Sequence, residues 1–77
     1  MQVIVVCNNE SPFIFTMPKY ESVFLYQDGK GNVQVLDVNM HFLEKEDKNV
    51  STIITASERM ITDTELKKLV RQLHYPT

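Results

Sequence analysis

Apolar positions along this chain recur with a period near two through residue 56 and near 3.6 after residue 61, so strands are expected first and a helix last. Residues 3–7, Val-Ile-Val-Val-Cys, are apolar at both parities, the pattern of a strand covered on both faces and therefore inside a sheet. Turn formers follow from Asn8 to Pro12, and Phe13-Ile14-Phe15-Thr16-Met17 reads as a second strand, paired with the first as a hairpin and stopped by Pro18. Residues 20–27 read as a third strand, with Val23 and Leu25 on one face and Phe24 and Tyr26 on the other. The chain's two glycines, Gly29 and Gly31, sit between this strand and the next, as in a hairpin loop. No helix opening with Lys-Ser or Lys-Thr follows them, so they do not read as a phosphate cradle.

Residues 32–44 form one long apolar and polar alternation that slips partway. Val33 and Val35 share one parity, while Leu36, Val38, Met40 and Phe42 share the other. A bulge near Val35 and Leu36 is expected to return both sets to one face. After the charged turn Lys45-Glu46-Asp47-Lys48-Asn49, residues 50–56 alternate as a fifth strand, expected antiparallel to the fourth.

The helix carries a complete start signal. Thr62 can accept from the Glu65 amide while the Glu65 carboxylate reaches back to Thr62, and Ile61 can close on Leu66 as a hydrophobic staple. Leu66, Leu69, Val70 and Leu73 fall at i, i+3, i+4 and i+7 on one stripe. Thr55 with Glu58 has the same capping spacing, but a helix started there would hold Thr62 and Thr64 in its interior, where hydroxyls compete for the backbone. Pro76 places the end near His74. The expected fold is α+β: an antiparallel, meander-like sheet of four or five strands with one C-terminal helix packed on one face, residues 1–77 forming a single domain.

Composition narrows the function classes. The longest apolar run, residues 3–7, is far below the ~20 residues of a membrane span, and no secretory leader is read at the start. One cysteine, Cys7, cannot bridge internally, and a lone thiol without a leader points to a reducing, cytoplasmic setting. No Cys/His spacing suits structural zinc, and no cofactor is expected. Cys7 with His41 or His74 is the one nucleophile and base combination to weigh. Cys7 ends the most apolar strand, where thiols are usually packing residues, so an enzyme is not expected. His41 is expected to face solvent or a partner.

The net charge of −2 speaks against generic nucleic-acid affinity, but its distribution is uneven. Residues 1–58 hold four basic and eight acidic side chains, whereas residues 59–77 hold four basic and two acidic. Lys67, Lys68 and Arg71 project away from the apolar stripe of the helix. Their ordinary role is a solvated outer face with cations near the helix C-terminus. The sharper role is a basic patch for an acidic protein surface or a nucleic-acid backbone.

Area supplies the other constellation. One helix covers one face of a sheet, yet the first and third strands are apolar on both. The second face must be covered by the sheet's own curvature, by a second copy of the chain, or by another protein. Phe24 and Tyr26 are the candidate partner-binding residues on that face, with Lys67, Lys68 and Arg71 on the helix. The expected function is a small non-enzymatic protein-interaction module, a regulator or inhibitor that docks on a larger protein or forms a homodimer. The alternative is a nucleic-acid binder using the basic helix face. Thr62→Ala should cost about 0.5–2 kcal/mol through loss of the cap; an unchanged thermal midpoint would place the helix start elsewhere.

Overall fold

The computed structural model describes residues 1–7, 10–27, 29–44 and 47–76. The expected turn residues Asn8 and Asn9, Asp28 of the glycine loop, and Lys45 and Glu46 of the charged turn lie outside them. Five strands precede one helix: β1 (Gln2–Val6), β2 (Phe13–Thr16), β3 (Val23–Gln27), β4 (Val33–Glu44), β5 (Val50–Ser57) and α1 (Asp63–Leu73). The strands form one sheet in the order β2-β1-β5-β4-β3, and the fold is α+β as expected. Three of the four pairings are antiparallel, while β1 and β5 run parallel, with Val3 opposite Ile54 and Val5 opposite Ala56. The meander therefore covers β3, β4 and β5, and the β1–β2 hairpin is attached to it through the parallel pair.

The central position of β1 follows from its composition: Val3, Ile4 and Val5 are fully buried, Val3 and Val5 on one face and Ile4 on the other. On the helix side, Ile4 and Ile53 meet Ile61, Leu66, Leu69 and Tyr75, with Val70 and Leu73 packed at the margin. The predicted stripe of α1 is thus the face that docks, and Ile61 and Leu66 share one cluster as a staple requires. Thr62 is the N-cap, its hydroxyl accepting from the Glu65 amide at 3.2 Å. The expected reciprocal bond from the Glu65 carboxylate is replaced: that group takes a two-pronged contact from Arg59 at 2.6 and 2.5 Å. An arginine fork satisfies both carboxylate oxygens, which the single Thr62 amide cannot. His74 ends the helix in the left-handed conformation at φ 54°.

The far side of the sheet is covered by curvature. Val3, Val5, Cys7, Met17, Leu36, Val38, Ile54 and Ala56 form its buried cluster, with Phe13, Phe24 and Tyr26 packed against it. Strands β2 and β3 are the two edges in sheet order, yet their rings meet. Phe13 lies 5.5 Å from Tyr26 and Phe15 lies 5.0 Å from Phe24, centroid to centroid, both within the range of favourable tilted ring contacts. The Tyr26 hydroxyl also donates to Glu10 at 2.5 Å, tying β3 to the segment before β2. Of the three possible covers for the far side, the chain's own curl supplies most.

The bulge expected near Val35 and Leu36 is absent. Register runs unbroken from Val33 opposite Gln27 through Asp37 opposite Val23, and from Asp37 opposite Ser57 through Glu44 opposite Val50. Alternation therefore continues straight through the slip, leaving Val33 and Val35 on the opposite face from Leu36 and Val38. Hydrogen-bond continuity in a strand that serves two partners outweighs the burial of two valines.

Tyr75 closes the fold in a way not visible in sequence. Its buried ring sits under the helix, and its hydroxyl donates to Gln2 O at 2.7 Å while accepting from Ile54 N at 3.5 Å, at the start of the parallel pair. Tyr75→Phe is expected to cost about 0.5–1.5 kcal/mol, and Leu69→Ala about 2–5 kcal/mol, in chemical denaturation. A Tyr75→Phe protein as stable as the parent would show that this hydroxyl contributes nothing to joining β1 and β5.

Candidate functional site

Two surfaces compete as functional sites: a polar cleft on the helix side and the apolar surface that curvature and helix leave uncovered. The cleft arises because β4 continues past the helix. Asp37, Asn39 and His41, at alternate positions, face the connection from β5 to α1, and with Ser22, Ser57, Glu58, Arg59 and Met60 they line an open space of about 620 Å³. Ser57 donates to Arg59 O at 2.5 Å, and Arg59 is held by Glu65, so this wall is fixed to the first turn of the helix. His41 is half-buried, its Nε2 2.9 Å from Thr55 Oγ1, and so faces the sheet's interior contacts as well as solvent.

Asp37 and His41 do not make an acid and base pair. Asp37 and His41 are four residues apart on one strand, roughly 13 Å at ~3.3 Å per residue, beyond proton-transfer reach. Without a bulge, Asp37 and Glu44 differ in parity and lie on opposite faces of β4. Cys7 is buried on the far side, its thiol pushed up by burial first and by the Glu10 and Glu58 charges second, whereas His41 is on the helix side. A raised thiol is a poorer nucleophile at neutral pH because less of it is thiolate. Among the described residues, no group of three or more metal-ligating side chains is gathered, and no helix is long and apolar enough to cross a membrane.

The sequence-predicted binding residues fall on two separate surfaces. Lys67, Lys68 and Arg71 are exposed on the outer face of α1. Phe24 and Tyr26 are half-buried on the far side of the sheet, engaged with the rings of Phe15 and Phe13. The two groups are separated by the thickness of the sheet and helix and do not make one site.

The larger uncovered apolar surface is elsewhere. Val23 and Leu25 of β3 and Val33 and Val35 of β4 lie on the helix side beyond the helix, 45% to 67% exposed, with Leu25 directly opposite Val35. They form one patch across the hairpin rather than scattered single residues, the arrangement that marks an interaction surface. A second group stands at the opposite end of β4, on the far side: Met40, Phe42 and Val50. The signal for the first patch was present in the sequence. A loop centred on Lys30 sets Leu25 opposite Val35, and uninterrupted alternation then leaves all four side chains on one face.

Both groups lie toward the ends of a long molecule. The Cα extents are 44 × 24 × 19 Å, and the surface of 5401 Å² exceeds the about 4,850 Å² typical of a compact monomer of this mass. Comparison of the chain with protein-family models, with curated proteins and with solved structures finds no match.

The cleft wall carries a pH dependence with a defined sign. The Arg59 hydrogen bond holds the Glu65 carboxyl below its ordinary range; burial opposes it, and the Arg59 and Lys68 charges add smaller lowering effects. A carboxyl with a depressed folded-state pKa stabilises above its unfolded value, about 4.3, and that stabilisation is lost as pH falls through the folded value. The thermal midpoint of Glu65→Gln should therefore fall less steeply than that of the parent below about pH 4.3. Parallel profiles for the two proteins would show that the contact does not contribute.

Proposed function

We propose that the chain is a small non-enzymatic protein-interaction module, a regulator or inhibitor that docks on a larger protein or pairs with a second copy through apolar sheet surface that the helix leaves open. The observation that carries this reading is the four-residue patch of Val23, Leu25, Val33 and Val35, exposed together on one hairpin. A small domain has little stability to spare, and aliphatic strand residues left in water contribute no burial to it. Covering them on a partner recovers that stabilisation. The reducing interior of a cell is the setting in which the buried Cys7 thiol remains free.

The alternative, a nucleic-acid binder, is favoured by one observation: Lys67, Lys68 and Arg71 are all exposed on one helix, and among the described residues none of them is held in an ion pair. It requires affinity for DNA or RNA that falls steeply with salt and is lost when all three become Glu.

The deciding experiment compares the parent with a Leu25→Asp, Val35→Asp double variant, as bait in extract of the native host and by sedimentation. The expected result is a protein partner retained by the parent and lost for the variant. A parent that remains monomeric and retains no protein contradicts the reading, and a salt-sensitive gel shift lost on charge reversal of the helix establishes the alternative.

A further inference from the structure

We propose that two copies of this chain join edge to edge through the second half of β4, making one continuous sheet across a twofold axis at Phe42. The inference rests on the interaction-module reading and gives it a partner and a register. Its basis is the direction of the backbone. Val38 N donates to Ser22 O at 3.0 Å, so even-numbered residues of β4 point their N–H and C=O groups toward β3. Pairing with β3 stops at Val23 opposite Asp37, and the Tyr20 hydroxyl, 3.5 Å from Val38 O, covers the next position. Beyond it, among the described residues, no strand lies beside Met40, Phe42 and Glu44 on that edge. The odd-numbered residues of the same segment are turned to β5, consistent with Ile54 N, opposite Met40, turning away from β4 to reach Tyr75.

The other edges are less available. The outer edges of β2 and β3 lie along the seam where Phe15 meets Phe24 and Phe13 meets Tyr26, so the chain's own curl occupies that approach. Among the described residues the β4 edge has no such cover: Phe42 is 69% exposed and Met40 46%.

The segment is complementary to itself. With Phe42 on the axis, Phe42 faces its own copy, Met40 faces the copy's Glu44, and His41 faces the copy's Leu43. No two like charges stand opposite one another, and an aromatic pair sits at the centre. The three outward residues of each chain then form about six backbone hydrogen bonds in the closely spaced pairs of an antiparallel ladder. At the usual one per 100–200 Å² this corresponds to about 600–1,200 Å² of total interface, the low end for specific association. The dimer is therefore concentration-dependent rather than obligate. An isologous contact of this kind closes on itself and leaves no further β4 edge to propagate a fibre.

The test is sedimentation of the full chain from about 10 µM to about 1 mM, a range that includes the affinities of weak, transient contacts. Phe42→Pro removes only an outward N–H and leaves the ladder to β5 intact. Phe42→Lys sets like charges opposite each other on the axis and adds no backbone constraint, so it decides alone if Phe42→Pro does not fold by circular dichroism. Leu25→Pro makes the same outward change on β3. The expected result is a monomer–dimer transition whose midpoint rises about tenfold or more in the Phe42 variants and is unmoved in Leu25→Pro. A parent that stays monomeric throughout, or a transition abolished by Leu25→Pro and not by the Phe42 variants, overturns edge pairing. Either result leaves the module reading to the bait comparison above, which does not depend on the β4 edge.

Discussion

One helix of eleven residues cannot cover both faces of a five-stranded sheet, and the rest of this structure follows from that shortage. Strands β1 and β5 sit at the centre because they are the strands whose residues can be buried on both sides. The helix covers one face over them. The other face is covered by bending, which carries the edge strands β2 and β3 toward each other until their aromatic rings meet. Ring contacts across the seam stabilise the bend, and the bend removes from water the far-side cluster around Val3, Val5 and Ile54 that a flat sheet would expose.

The cost of this arrangement falls on β4. It pairs with β3 through its first half and with β5 through its second, meeting both only near Asp37. Two hairpins therefore extend in opposite directions from one strand, and each end is covered on one face only: the curl reaches Tyr26 on the far side of one, and the helix cluster reaches Leu43 on the helix side of the other. Apolar side chains remain in solvent there on opposite faces: Val33 and Val35 with β3, Met40 and Phe42 with β5. The uncovered surface is thus a consequence of topology and not of a deviation in local propensity.

Much of the local structure was legible from residue patterns. The helix start at Thr62, its apolar stripe, the double-sided burial of β1 and the hairpin around Gly31, which holds a positive φ of 85°, all follow from spacing and composition. What was not legible depends on register between distant strands. The parallel joining of β1 to β5 and the meeting of Phe15 with Phe24 are set by how the whole sheet bends. The parity slip at Val35 and Leu36 predicts a bulge only if burial governs every apolar residue; in the fold the ladder governs instead. Arg59 shows the same limit on a smaller scale, since its capture of Glu65 depends on how the chain turns from β5 into the helix. Phe24 and Tyr26, the aromatic candidates on the face away from the helix, lie against the seam, while the aliphatic Leu25 between them faces solvent.

Closure of the seam is the claim on which burial, exposed surface and available edges all depend. Its most direct measurement is the set of nuclear Overhauser contacts between aromatic rings at low protein concentration. A closed seam requires contacts from Phe15 to Phe24 and from Phe13 to Tyr26. Absence of both, with the protons of Phe15 and Phe24 at solvent-exposed shifts, would mean that the sheet is open on its far side and would contradict it.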